Sequence, residues 1–279
     1  MNAPSLAVTG ATGRLGGRVA RRLTDRGVSQ RLIVRDPSRA PALDGATVVQ
    51  ASYVDTDAAR RALDGVSTLF MVSGEEAVDR VDQHRAFVDA AAAAGVKHLI
   101  YTSFIGAASD ATFTLARDHY VTEEHIKASG LRWTFLRDNL YLDFIPLFVG
   151  SDGVLRGPAG DGKVAAVALD DIADVAVAVL TAPDEHAGRT YDLTGPAAFT
   201  LTEAAETLSA ATGRTVTYRA ETVEEAYASR ASYGAPGWQV DAWVSTYTAI
   251  AAGELERVTD DVARLTGHSP ISLADLLRR

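Results

Sequence analysis

Short apolar runs alternate with longer segments of helical period from the start of the chain to about Arg137, the rhythm of repeated strand–helix–strand units. Apolar runs at Leu6–Thr9, Arg31–Val34, Thr47–Gln50, Thr68–Val72, His98–Thr102 and Trp133–Arg137 predict strands. The stretches between them predict helices over Arg14–Arg26, Asp57–Leu63, Val78–Ala94 and Asp118–Ser129. In the first helix Leu15, Val19 and Leu23 share one stripe while Arg18, Arg22 and Arg26 fall elsewhere, so one side can bury against a sheet. Strands and helices connected in this way build a doubly wound parallel sheet, an α/β fold.

Past Asp138 the alternation becomes irregular. Glycine-rich loops at 150–153 and 157–162 precede a predicted strand at Val164–Leu169, a helix at Asp171–Leu180 and a strand at Thr190–Leu193. A helix at Thr202–Ala211, a strand at Val216–Arg219 and several C-terminal helices follow. The expected division is a nucleotide-binding domain over residues 1–150 and a smaller substrate-binding α/β region over 151–279, interleaved with the first.

The most informative stretch is Thr9-Gly10-Ala11-Thr12-Gly13-Arg14-Leu15-Gly16, which follows the first strand directly and opens the first helix. Gly10 permits a tight turn, Gly13 lets the backbone approach a pyrophosphate, and Gly16 lets helix and strand pack closely. The free N–H groups of the helix start favour an anion. This is the dinucleotide-binding signature of a Rossmann-type domain; the plain alternative is a glycine-rich strand-to-helix turn with no ligand. Arg14 at the helix start also favours a phosphate partner. Arg35 ends the second strand, where an NAD enzyme carries Asp or Glu for the ribose hydroxyls, so a 2′-phosphate is the better match and NADP(H) is expected ahead of NAD(H).

The 279 residues, with 47% hydrophobic and 23% charged, suffice for a buried core. The net charge of −9 argues against nucleic acid as a partner, because phosphate-backbone binding rests on clustered Lys and Arg. There is no cysteine, which removes disulfides, thiolate nucleophiles and Cys-ligated metals. The chain enters its first strand without a basic, apolar leader and holds no apolar run of membrane-spanning length, so a cytoplasmic protein without a membrane partner is expected, a monomer or homodimer. His119, Glu123 and His125 do not form a metal signature, and no metal is expected.

Beyond the glycine turn, Tyr101-Thr102-Ser103, the helix around His119, Thr134 through Tyr141, Ala159-Gly160-Asp161-Gly162-Lys163 and Tyr191-Asp192-Leu193 resemble the atypical short-chain dehydrogenases of the NmrA-like branch. The resemblance is nearest to its type 2 quinone oxidoreductase and triphenylmethane reductase groups, and it runs over nearly the whole chain. It implies NADP(H) held at Gly10, Thr12, Gly13, Arg14, Leu15, Gly16 and Arg35, with Ser73 near the ribose and phosphates and Thr102 near the nicotinamide. One position departs from the pattern: the Asp that holds the adenine amino group in relatives falls here on Ser52, with Asp55 the nearest carboxylate.

Ordinary short-chain dehydrogenases use a Tyr-x-x-x-Lys pair, in which Lys lowers the Tyr pKa for proton exchange with a carbonyl oxygen. Here Leu115 falls at the Tyr position and His119 at the Lys position, so that relay is absent. His119 is expected to hold the nicotinamide ribose or deliver a proton, with Glu123 one turn on to orient it; both are equally readable as a pair on the helix surface. Asn139 completes the expected catalytic set. Phe104, Tyr141, Phe144 and Phe148, with Ile145 and Trp238, are expected to wall an aromatic pocket, or else to form a hydrophobic cluster against the C-terminal helices. A flat apolar wall suits a quinone or another conjugated aromatic, whose reduced anion is stabilised. The leading expectation is an NADPH-dependent reductase of such acceptors. A non-enzymatic NADP(H)-binding redox sensor and an oxidising enzyme of aromatic polyketide metabolism are the alternatives.

Overall fold

The computed structural model describes residues 4–279. The first part of the chain folds as β1 (Leu6–Thr9), α1 (Arg14–Asp25), β2 (Gln30–Val34), β3 (Ala46–Gln50), α2 (Thr56–Ala62), β4 (Thr68–Met71), α3 (Arg80–Ala93), β5 (His98–Phe104), α4 (Thr114–Ala128) and β6 (Arg132–Asp138). There follow β7 (Val154–Gly157), β8 (Lys163–Val164), α5 (Leu169–Thr181), β9 (Arg189–Leu193), β10 (Phe199–Thr200), α6 (Leu201–Thr212) and β11 (Thr217–Ala220). The chain ends on α7 (Val223–Arg230), α8 (Gly237–Ala251), α9 (Asp261–Thr266) and α10 (Leu273–Leu276).

The main sheet has seven strands in the order β3-β2-β1-β4-β5-β6-β9, the doubly wound arrangement with one strand more than expected. Residues Leu6 to Thr9 of β1 and Gln30 to Val34 of β2 are buried throughout, because a parallel sheet covered on both faces needs continuous apolar strands. β1 pairs in parallel with β2 (Val8 opposite Leu32) and with β4 (Val8 opposite Phe70), and β4 continues in parallel to β5. The seventh strand, β9, is the run expected in the smaller region at Thr190–Leu193; it lies instead beside β6 in the main sheet.

Two further boundaries differ from expectation. Of the apolar run at Val164–Leu169 only Val164 joins a ladder, with Lys163 before it in β8, which pairs with β10. The remainder is fully buried but bonds to scattered partners, Ala165 N–H to Leu255 O and Val167 N–H to Leu140 O, so no regular strand results. Helix α4 begins at Thr114, one turn before the expected Asp118, and takes in Leu115.

The chain divides into two compact units that alternate along the sequence. The first comprises the chain through Ser103, Asp118–Arg137 and Ile172–Tyr191; the second comprises Phe104–Arg117, Asp138–Asp171 and Asp192–Arg279. The core of the first unit gathers Leu69, Met71, Phe87, Leu99, Tyr101, Ile126 and Phe135 between sheet and helices. The second unit has its own core, including Leu142, Ile145, Leu155, Leu201, Leu208 and Ile250. Its glycine loops are packing devices: a Cβ on Gly157 would lie 2.2 Å from the Tyr247 ring, and one on Gly162 would lie 2.2 Å from the Ile250 carbonyl oxygen.

Candidate active site

The turn between β1 and α1 is tight because Gly10 sits at φ +66°, a conformation costly for any residue with a Cβ, and its carbonyl accepts from Gly13 N–H at 2.8 Å. Gly13 caps α1 without a side-chain hydrogen bond, and no acidic residue stands in the first turn. No side chain therefore caps the start of the helix, and no carboxylate of its first turn competes there with an anion. Gly13 and Arg14 are exposed there, Thr12 is half-buried, and Leu15 and Gly16 are buried against the sheet. At Gly16 an added Cβ would lie 2.4 Å from Gly10 O, so this glycine sets how closely the helix approaches the turn.

The base of the turn is anchored by a residue the sequence reading passed over. Tyr53, in the loop after β3, donates its hydroxyl to Val72 O at 2.6 Å and lies 2.7 Å from Thr9 Oγ1, which accepts from Val72 N–H at 2.9 Å. These donors and acceptors close into a ring that joins the ends of β1 and β4. Tyr53 also stacks on Phe87, with centroids 4.3 Å apart. An aromatic residue in a polar loop was the only sequence signal.

At the end of β2, Arg35 is exposed and pairs with Glu75, Nη1 to Oε1 at 2.7 Å. Its own carbonyl is held by the Gln50 side chain at 2.9 Å. Asp36, the adjacent carboxylate, accepts from the Ser38 N–H and hydroxyl and so is turned into its own loop. The half-buried Ser52 accepts from Asp55 N–H, and the Asp55 carboxylate caps α2 through Ala58 N–H at 2.9 Å. Asp55 is thus committed to the helix cap.

Polar side chains collect between the first turns of α3 and the middle of α4, around Gly74 in the loop after β4. Helices that follow parallel strands run back along them, so their first turns lie at the end where ligands of such sheets bind. Arg80 is buried; its Nε donates to Gly74 O at 2.9 Å, its Nη1 lies 3.4 Å from Asp118, and its Nη2 lies 3.1 Å from His119 Nε2. Arginine only donates, so His119 accepts at Nε2 and carries its proton on Nδ1, which faces Tyr101 Oη at 2.9 Å. His84 accepts from Gly74 N–H at Nε2 (2.8 Å) and turns Nδ1 to Thr122 Oγ1 (2.9 Å). Both sides of the Gly74 peptide, in the loop after β4, are therefore clamped from α3.

His119 is consequently neither a surface histidine nor an exposed acid. Burial, then the Arg80 charge, holds its pKa well below the ordinary value, and the same causes take His84 down to about 3. Burial pushes the Tyr101 phenol up. Glu123, expected to orient His119, is fully buried and is taken by two other residues. Its carboxylate accepts from Arg137 at 2.8 and 2.6 Å and from Ser103 Oγ at 2.6 Å. Thr102 Oγ1 accepts from Ser73 N–H at 2.8 Å, which brings those two expected residues together across β4 and β5. Among the described residues no group of three or more His, Cys, Asp or Glu is placed to hold a metal ion.

In the second unit Asn139 is fully buried, with its amide donating to Leu255 O at 3.0 Å and accepting from Leu140 N–H at 2.7 Å. It clamps backbone in that position. Tyr141 packs edge-on against Phe144, centroids 5.4 Å apart, and its hydroxyl meets Asp138 Oδ2 at 3.2 Å. Asp138 is buried with Oδ1 unpartnered, and burial raises its pKa well above the ordinary value. Phe104 pairs with Phe113 at 4.8 Å, and Phe148 packs on Tyr247 of α8 at 6.4 Å, the hydrophobic-cluster arrangement. Ile145 is core, and Trp238 is half-buried in the first turn of α8.

Sheet order, glycine turn and helix start define a Rossmann-type α/β protein. The chain belongs to the NmrA-like family, which it matches over residues 3–236. It is 35% identical to an NADPH-dependent quinone oxidoreductase from Escherichia coli solved in complex with NADPH, over 98% of each chain, with a TM-score of 0.89. A Citrobacter triphenylmethane reductase complexed with NADP(H) is 33% identical over 98% of this chain and 99% of its own, with a TM-score of 0.88. An NAD(P)H azoreductase from Xenophilus azovorans is 33% identical over 98% of this chain and 96% of its own length.

Proposed function

We propose that this protein is an NADPH-dependent oxidoreductase that passes hydride to a quinone or a related conjugated aromatic acceptor. The observation that carries the reading is the uncapped start of α1 beneath the Gly10–Gly16 turn, with Arg35 at the tip of the neighbouring strand. NADP(H) fits these residues. The pyrophosphate would lie against the turn backbone at Thr12, Gly13, Arg14 and Leu15, the 2′-phosphate has Arg35, and Ser52 stands at the adenine position. Ser73, Thr102 and His119 belong to the ribose and nicotinamide side. Three relatives at 33–35% identity, named for quinone, triphenylmethane-dye and azo-compound reduction, support the acceptor class.

When bound, NADPH supplies the hydride. The chain's own contribution is orientation: the Tyr53 ring holds the turn, the Arg80–His84 clamp holds the Gly74 loop, and Glu123 fixes Ser103 at the end of β5. His119 acts by position, since each ring nitrogen is engaged and burial keeps it neutral. Tyr141 and Phe144 supply aromatic surface for a flat acceptor.

Titration with NADPH and NADH, followed by stopped-flow oxidation with a benzoquinone and a naphthoquinone, tests the reading. Arg35→Asp is expected to weaken NADPH binding by about 2 kcal/mol, the scale of a lost charge-assisted contact. Equal NADPH affinity in wild type and variant refutes the cofactor assignment. Binding without turnover of any quinone favours the sensor, and oxygen uptake with a polycyclic phenol favours the oxidase.

A further inference from the structure

Arg35, read above as the partner of the 2′-phosphate, is already held by a carboxylate. Glu75 lies two residues beyond Ser73, in the loop that follows β4. It meets Arg35 with both oxygens, at 2.7 and 3.4 Å, while the two side chains remain 69% and 70% exposed. The loop that carries Glu75 is not free to swing away, because Gly74 immediately before it is clamped by Arg80 on its carbonyl and His84 on its N–H. Arg35 is likewise held at its backbone by Gln50. The other carboxylate within reach, Asp36, is turned into its own loop by Ser38. One carboxylate and one guanidinium are therefore presented together just beyond the end of the second strand.

We propose that Glu75 is a specificity-determining residue that competes with the 2′-phosphate for Arg35 and offers the ribose 2′-hydroxyl an acceptor, so that the site takes NADH as well as NADPH. This rests on the reading of Arg35 as the 2′-phosphate partner. The chemistry is the same that separates the two cofactors generally: a carboxylate after the second strand accepts from a free ribose hydroxyl, and an arginine there meets the phosphate. Here the two come from different loops and neutralise each other. A phosphate arriving at Arg35 has to displace a carboxylate that stays nearby as a like charge. Glu75 is ionised at neutral pH, since the Arg35 contact holds its carboxyl below the usual range. Both groups are exposed, so the competition is modest and screened by salt.

The experiment measures dissociation constants for NADPH and NADH by fluorescence titration at low and high ionic strength, in wild type, Glu75→Gln, Glu76→Gln and Arg35→Ala. Glu75→Gln is expected to tighten NADPH by about threefold to tenfold at low salt, with the gain shrinking in high salt, while NADH stays level or weakens. Glu76→Gln removes the same charge one residue away and is expected to leave the NADPH-to-NADH ratio within about twofold. An unchanged ratio in Glu75→Gln, with NADPH weakened in Arg35→Ala, overturns the role of Glu75 and leaves the cofactor reading standing. Unchanged NADPH affinity in Arg35→Ala overturns the assignment of Arg35, and the role of Glu75 with it. An equal shift in Glu76→Gln shows a general charge effect and likewise overturns it.

Discussion

Gly16→Ala adds one methyl group and separates the packing role of the turn from its ligand role. The new Cβ would lie 2.4 Å from Gly10 O, 2.5 Å from Gly10 C and 2.6 Å from Thr9 O, all backbone atoms. Heavy atoms in contact stand about 3.5 Å apart, so turn and helix have to part by about 1 Å. They cannot part easily, because Thr9 is tied to Val72 and Tyr53, and Gly10 already lies against the Val72 side chain. Overpacking of this kind costs about 1–3 kcal/mol, and alanine recovers about 1 kcal/mol of helix propensity. A constrained site belongs at the upper end, so the net loss is about 2 kcal/mol, or roughly 3–4 °C in Tm for a chain of this size. Gly13 is the contrast: its backbone is extended, at φ −96° and ψ −178°, and an added Cβ meets only Gly10 O at 3.2 Å. Gly13→Val should hold Tm within about 2 °C while abolishing NADPH binding, since the branched side chain stands where the pyrophosphate approaches. Calorimetry and NADPH titration of both variants check this. A Tm for Gly16→Ala at or above wild type refutes the close approach, and retained binding in Gly13→Val places the dinucleotide elsewhere.

Tyr120 follows His119 on α4 with Glu124, not a lysine, four residues on. Tyr120→Phe should therefore leave quinone turnover within about threefold, whereas His119→Ala should raise KM for NADPH more than it lowers kcat and cost about 1–3 kcal/mol of stability, because Arg80 and Tyr101 each lose a partner. Steady-state kinetics and thermal melts read both. Glu123→Gln should destabilise by about 2–4 kcal/mol in denaturant titration, less than a wholly buried pair because Arg137 remains 23% exposed. Asp138 has its folded-state pKa raised by burial, so its contribution to stability is complete below the unfolded value of about 3.9 and is lost as pH rises through the folded value. Asp138→Asn removes that loss, and the Tm difference between variant and wild type should grow from pH 4 to pH 8; a constant difference refutes it.

The six strands expected from apolar runs were legible because a parallel sheet covered on both faces needs such runs, and each begins and ends within two residues of its expectation. The place of β9 was not legible. A short apolar run announces a strand but not its neighbour, and two glycine loops separate β9 from the strand it joins. The site divides along the same line. The glycine turn is local and was read directly. Glu123 was expected to serve His119 from one helical turn away, yet its partners are Ser103 and Arg137, from two strands. Helical periodicity says which face a residue occupies, not what the sheet presents to it. Arg80 and His84 escaped notice for a related reason: charged and titratable residues at helical spacing read as a solvated face, and here they are the buried one.

The same buried network limits which acceptors the proposed chemistry suits. Reduction of a ketone leaves a strongly basic alkoxide, so a proton has to arrive with the hydride from a group whose pKa lies near the working pH. The sequence pattern aligns Leu115 with the tyrosine of an ordinary dehydrogenase, and on the proposed reading neither polar residue deeper in the network replaces it. His119 holds no spare proton near neutral pH, because burial and the Arg80 charge keep it neutral and its one N–H is directed at Tyr101. The Tyr101 phenol is itself pushed up by burial. A quinone avoids the requirement, since its reduced anion is delocalised and takes its proton from solvent after transfer, and orientation alone can then supply much of the rate. On the proposed reading, the neutral network favours acceptors with stable anions. Reduction of a simple aliphatic ketone at a rate comparable with a naphthoquinone would contradict that argument directly.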